Sequence, residues 1–208
     1  MSDLKDQERI MEAAREKFFE QGFMKVTVDE IASDLGMSKK TLYKFFPSKE
    51  DLVRKAIHFM LRQVNARIEV IVKSEKPFVE KMSELLVLIG RMWGRAGRQF
   101  PIDIKKHFPD LWKEVETFRR ERILTNMQKM FLQAKQEGVL RDDVKPELLI
   151  LMFLCCVEGI LNPTTLSEHS FSLTEAFRGI FKTLFEGSMT DEARTTYHLF
   201  EPSYSPTL

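Results

Sequence analysis

The chain of 208 residues carries 32 Lys plus Arg against 31 Asp plus Glu, a formal net charge of +1. That excludes a protein that holds nucleic acid by overall basicity, so any such contact must come from a local patch. Hydrophobic residues make up 43%, which excludes a disordered chain, and the only two cysteines, Cys155 and Cys156, are adjacent, which excludes a disulfide scaffold and suits a reducing compartment.

The amino terminus, MSDLKDQERI, lacks the apolar run of a signal peptide. The longest apolar run, Leu148–Val157, is too short to span a bilayer, so a soluble cytoplasmic protein with no membrane partner is expected. No stretch alternates as a strand would. Apolar residues recur at three and four throughout, which predicts an all-α fold of about nine helices. The first runs from about Asp6 to Gln21, with Ile10, Ala14 and Phe18 on one stripe and Gly22 as its stop. Thr27 opens the second, with Glu30 at capping-box spacing, and Gly36 ends it. Ser38 caps a short third helix through Phe45, and Pro47 breaks the chain. Ser48 caps a fourth, Lys49 to Lys73, with no internal Pro or Gly; at ~1.5 Å per residue it is a rod of roughly 37 Å.

Pro77 starts a fifth helix with an apolar side of Phe78, Met82, Leu85, Leu86, Ile89, Met92 and Trp93. A short helix covers 102–107. Pro109 opens a long one ending at Gly138, with Trp112, Val115, Phe118, Met127, Met130 and Phe131 inward. Pro146 opens the next, apolar nearly to Leu161, and 162–170 is expected to be a loop. Ser172 and Glu175 form a second capping box before a helix with Phe177, Ile180, Phe181, Leu184 and Phe185. The polar residues from 188 to 208 are expected to fray.

The segment TVDEIASDLGMSKKTLYKFF, residues 27–46, divides its chemistry between two faces. Ile31, Leu35, Leu42 and Phe46 are spaced to fill the wedge between two short helices, Ala32 is small where they approach, and Gly36 suits the turn. Lys39, Lys40, Tyr43 and Lys44 are then left on the outer face of the third helix, with no acid between Asp34 and Glu50. Long donors and a polar aromatic on one helix face are what a recognition helix offers a phosphate-lined groove. Thr27, Ser38 and Ser48 sit at helix starts, where free N–H groups attract phosphate, and Lys49 follows.

Residues 9–60 resemble the DNA-binding region of the tetracycline-repressor (TetR) family. The shared residues are Ala13-Ala14 and Phe18-Phe19 before Gly22, then Thr27, Ile31-Ala32, Leu35-Gly36, Ser38, Thr41-Leu42-Tyr43, Phe46, Lys49 and Leu52. The resemblance implies DNA contacts from Thr27, Lys39, Lys40, Thr41, Tyr43, Lys44 and Lys49, with Tyr43 and Lys49 on phosphates. Lys40 stands where Gly or Ala is common, and Phe45 where His is common, so operator sequence does not transfer from a relative. The implied organisation is a helix-turn-helix DNA-binding domain over 1–48, a helical ligand-binding and dimerisation domain over 49–187, and a tail over 188–208.

The resemblance also implies a homodimer built on the last two helices. Leu151, Leu154, Phe177, Phe181, Leu184 and Phe185 are the candidate interface, although the same residues would serve a monomer core. It further implies a small-molecule effector held by the middle helices. Met92, Trp93, Phe100, His107, Trp112, Phe118, Met127 and Met130 can line such a pocket, or fill a solid core instead. Arg91, Arg95 and Arg98 share a stripe that could meet an anionic ligand or simply solvent, and Glu158 interrupts an apolar helix. Neither cofactor nor metal is expected, because none of His58, His107, His169 and His198 has a partner at ligand spacing. No nucleophile or phosphate-loop signature points to an enzyme. The expectation is an operator-binding repressor released by an effector through a swing of the long fourth helix. A regulator without an effector, or an activator, is the alternative, and an all-helical enzyme a remote one.

Overall fold

The computed structural model describes residues 2–95 and 99–200, with no side-chain account of Ser2, 93–99 or 197–200. The described residues form eleven α-helices: α1 (Ser2–Gln21), α2 (Val28–Asp34), α3 (Lys39–Phe45), α4 (Lys49–Lys73), α5 (Phe78–Arg95), α6 (Gln99–His107), α7 (Pro109–Gln136), α8 (Pro146–Ile160), α9 (Pro163–Glu168), α10 (Leu173–Phe181) and α11 (Asp191–Phe200). A π-helical stretch, Lys182–Glu186, continues α10. The all-α expectation holds, and the limits of α4 are those predicted.

The chain divides into two compact units. The first takes the described residues of Met1–Ala66 and Arg95–Val115. Its core sets Ile10, Ala14 and Phe18 of α1 with Ile31 and Ala32 of α2, Leu42 of α3, Phe46, and Leu52, Val53 and Ala56 of α4. Phe100 and Ile104 of α6 and Leu111 and Trp112 of α7 complete it, so this unit reaches well beyond residue 48. Ion pairs tie its surface, Lys17 to Asp34 at 2.7 Å and Arg54 to Glu114 at 2.7 Å, and His58 Nε2 lies 2.9 Å from Glu114 Oε2.

The second unit takes Arg67–Gly94 and the described residues of Glu116–Leu208. Its centre is aromatic. Phe131 of α7 stacks on Phe185 at 5.4 Å between centroids, and Phe153 and Phe181 meet Phe185 at 5.3 and 4.5 Å. A buried lysine closes the α4–α5 turn. Lys81, 3% exposed, donates from Nζ to the Val72 carbonyl at 3.0 Å and to Gln133 Oε1 at 2.7 Å. Gln133 Nε2 donates to the Lys76 carbonyl at 2.9 Å, and the Phe78 N–H donates to Glu137 Oε2 at 2.9 Å. An ammonium with two oxygen acceptors is tolerated where a lone one would not be.

Three sequence expectations are corrected. Residues 162–170 are not all loop: Asn162 Oδ1 accepts the Thr165 N–H at 3.0 Å, Pro163 takes the first helical position, and α9 follows. The short sixth helix begins at Gln99 rather than 102. The tail does not begin at 188, because Met189 is 1% exposed and bridges Leu140, Ala193 is buried, and α11 runs to Phe200.

Candidate nucleic-acid interface

Thr27 opens α2 through a full capping box. Its Oγ1 accepts the Glu30 N–H at 3.2 Å, and Glu30 Oε2 accepts the Thr27 N–H at 2.6 Å. The Thr27 hydroxyl also donates to Glu30 Oε2 at 2.9 Å, and these bonds, the backbone one foremost, hold the Glu30 carboxyl below its usual range. Thr27 is exposed where expected, but its proton is already engaged, and donation to a phosphate requires Glu30 to release it.

The turn between α2 and α3 is a Schellman motif. The Met37 N–H donates to the Ala32 carbonyl at 2.9 Å and the Gly36 N–H to the Ser33 carbonyl at 3.0 Å, with Gly36 at φ +65°. Ser38 Oγ then accepts the Thr41 N–H at 3.1 Å and lies 2.9 Å from Thr41 Oγ1, which starts α3. Leu42 and Phe46 are buried against Ile31 and Ala32 in the first unit's core. That anchors the rotation of α3 about its axis and leaves Lys39, Lys40, Tyr43 and Lys44 exposed, with Ser38 exposed and Thr41 half-buried beside them.

Lys39 Nζ donates to Asp29 Oδ2 of α2 at 2.7 Å, and that hydrogen bond raises the lysine above its ordinary range. Lys40 and Lys44, one turn apart, have no acidic partner among the described residues. Tyr43 is 38% exposed. Lys49 begins α4, which Ser48 caps by accepting the Asp51 N–H at 3.0 Å. Its Nζ lies 5.8 Å over the Phe23 ring and 3.5 Å from the Met24 carbonyl. Burial lowers its basicity, and Glu30 partly offsets this. A seven-residue helix is ~10.5 Å long, which suits a major groove about 12 Å wide.

Sequence reasoning did not find Asp29, which lies ten residues from Lys39 and meets it only because the two helices cross. It also did not find Met24, 54% exposed, whose carbonyl accepts from Lys49. The capping-box spacing pointed to Glu30 but gave no sign that the hydroxyl would be engaged as well.

The other candidate residues separate. Of the expected pocket, Phe100 and Trp112 pack in the first unit's core, and Met127 and Met130 in the second's. Two of the four belong to each core. His107 is exposed, with its ring 5.7 Å from that of Phe23. Phe118 is half-buried, the Arg122 guanidinium 5.2 Å over its ring, and Met92 is half-buried on α5. The side chains of Trp93, Arg95 and Arg98 lie outside the described residues, and Arg91 is exposed.

The expected dimer residues separate as well. Leu154, Phe177, Phe181 and Phe185 are buried in the second unit's own core at 1%, 7%, 3% and 1% exposure, and Leu184 is half-buried against it. They pack within the chain, where Phe153 of α8 meets Phe177 of α10 edge to face at 6.2 Å. Leu151 stays outside at 51%, in line with Leu148, Met152 and the exposed Cys155, a stripe at helical spacing on α8. Glu158 is resolved as an ion-pair partner, with both carboxylate oxygens taken by Arg120 Nη1 at 2.8 and 3.0 Å.

Two short helices joined by a Schellman turn, the second wedged by buried apolar residues and basic outside, define a helix-turn-helix DNA-binding protein. The sequence profile of bacterial regulatory proteins of the tetR family matches residues 10–56. The HTH-type transcriptional regulator YvaF of Bacillus subtilis is 25% identical over 167 residues, 80% of this chain and 87% of its own. A transcriptional regulator of the TetR/AcrR family from Thermobifida fusca superposes with a TM-score of 0.59 at 24% identity, covering 88% of this chain and 98% of its own. A regulator from Saccharomonospora viridis, solved in complex with choline, gives 0.62 at 17% identity, covering 89% and 98%. Residues 10–56 thus carry the DNA-binding domain of tetR-type bacterial regulatory proteins, and over most of its length the chain is similar to transcriptional regulators.

Proposed function

We propose that the chain is a repressor that binds a palindromic operator as a homodimer and leaves it when a small, largely apolar effector binds. Residues 1–48 make DNA contacts through Thr27, Ser38, Lys39, Lys40, Thr41, Tyr43 and Lys44, Lys49 at the start of α4 adds one more, and residues 49–187 provide the dimer contact and the effector site. The observation that carries this reading is the outer face of α3, where three lysines and Tyr43 are exposed over the buried Leu42. The exposed stripe of Leu148, Leu151, Met152 and Cys155 supports a partner on α8, because four adjoining apolar positions left in water are costly. The choline held by the Saccharomonospora viridis protein supports a small molecule in this architecture.

The core burial of Phe100, Trp112, Met127 and Met130 favours a second reading, a regulator with solid middle helices and no effector. Selection of bound duplexes from a random pool, followed by footprinting, tests the DNA half of the proposal. The expected product is a palindrome with half-sites about one helical turn apart. Enrichment of single half-sites would remove the homodimer from the reading, and no enrichment would remove the operator.

A further inference from the structure

Most arginines of α7 have visible partners. Arg120 holds Glu158, and Arg122 lies over Phe118 with Glu69 Oε1 at 3.7 Å. Arg119 differs. Its Nη2 is shielded from solvent and has no hydrogen-bond partner. Glu116 and Glu158 act on it only at longer range, and burial outweighs them, so the guanidinium sits below the usual arginine range. Two turns further along the same face, Asn126 is 5% exposed and makes no side-chain hydrogen bond among the described residues. Ile123 lies between them, half-buried against the second unit's core.

A guanidinium N–H kept from water without an acceptor is a costly arrangement, and an oxyanion relieves it through a charge-assisted hydrogen bond. We propose that Arg119 is the anion receptor of a small-molecule site in the second unit, binding the carboxylate or phosphate of an organic anion whose apolar body lies along α7 beside Ile123. Asn126, roughly 10 Å further along the axis, meets a polar group at the other end. This deepens the effector reading above and rests on it only for the consequence of binding. Sequence patterning pointed toward Arg91, Arg95 and Arg98 for an anion; Arg91 is exposed, whereas the half-buried Arg119 has its Nη2 shielded and unpaired.

The test uses the full-length protein with octanoate, octyl phosphate and octanol, read by thermal unfolding. At least one anion is expected to raise Tm by about 3 °C or more near saturation, while octanol does not. A shift with octanoate alone assigns a carboxylate, and a shift with octyl phosphate alone assigns a phosphate ester. Arg119→Met is expected to raise the Tm of the unliganded protein, because it removes a shielded, unpaired Nη2 donor, and to abolish the anion shift. A merely structural arginine would lower that Tm. Arg119→Lys, which keeps the charge but loses the planar fork, is expected to lose most of the shift. An equal shift with octanol, a full shift in Arg119→Met, or no shift with either anion overturns the proposal. Release of a selected duplex is measured separately. An Arg119-dependent Tm shift without release leaves the anion site standing and overturns the effector reading instead.

Discussion

Lys39 at the start of α3 and Asp29 in the first turn of α2 form an exposed ion pair at 2.7 Å across the helix-turn-helix. The lysine proposed above to meet DNA is therefore already engaged, and a phosphate or base edge would have to compete with a carboxylate. Asp29→Asn is expected to tighten binding to random-sequence DNA about 2- to 10-fold. If the freed lysine reaches a phosphate, the log–log salt dependence steepens by ~0.9. Selectivity for the chosen palindrome falls at the same time. Fluorescence anisotropy across a salt series reads all three, and an unchanged slope and selectivity would mean that the pair has no part in recognition.

Lys49 offers a second electrostatic test. Burial beside Phe23 places its ammonium below the ordinary lysine range, so it loses its charge at a lower pH than an ordinary lysine does. Loss of a positive charge weakens a phosphate contact. DNA affinity is therefore expected to fall on the alkaline side at a pH below the usual lysine range, and Lys49→Arg to flatten that fall. Lys49→Ala is expected to shallow the salt slope by ~0.9, and Tyr43→Ala, which removes no charge, to weaken binding with the slope intact. A Lys49→Arg profile identical to the wild type would exclude Lys49 as the titrating contact.

The turn can be tested without DNA. Gly36 is at φ +65°, and a Cβ built there meets nothing within 4 Å. The cost of Gly36→Ala is thus one of backbone conformation alone, about 1 kcal/mol. Gly36→Asn is expected to cost less, since Asn tolerates that region. Urea midpoints at constant m-value would measure both, and a neutral Gly36→Ala would contradict the Schellman geometry.

For the proposed dimer, two substitutions are expected to behave oppositely. Leu151→Lys alters an exposed side chain, so it should leave secondary structure intact and shift sedimentation from dimer to monomer. Phe181→Ala empties a position 3% exposed and is expected to cost about 3–5 kcal/mol of stability. A dimer that survives Leu151→Lys would move the interface away from the α8 stripe. Cross-linking through the exposed Cys155 gives an independent reading.

The helix boundaries were legible where single residues act on their own backbone. Thr27 with Glu30, Ser38, Ser48, Ser172 with Glu175, and Gly36 each terminate or start a helix as their side-chain chemistry dictates. The outward face of α3 was legible because Leu42 and Phe46 leave only one rotation of that helix. The inward face of α8 was not. Leu148–Val157 is apolar on every side, so periodicity could not tell Leu154, which packs inside, from Leu151, which does not. Phe100 and Trp112 carried the same composition as Met127 and Met130, yet fill a different core, because burial in one unit or the other depends on long-range pairing that spacing does not encode. The Lys39–Asp29 pair and the shielding of Arg119 depend in the same way on elements that meet only after folding.

Lys81 bears on where α4 can bend. Its ammonium grips the Val72 carbonyl in the last turn of that helix and Gln133 of α7 at once, while Gln133 also holds the carbonyl of Lys76. Opening that junction would strand a cation in an oily interior. The carboxyl end of α4 is therefore a clamped end, and a bend in that helix cannot be taken up in its last turn.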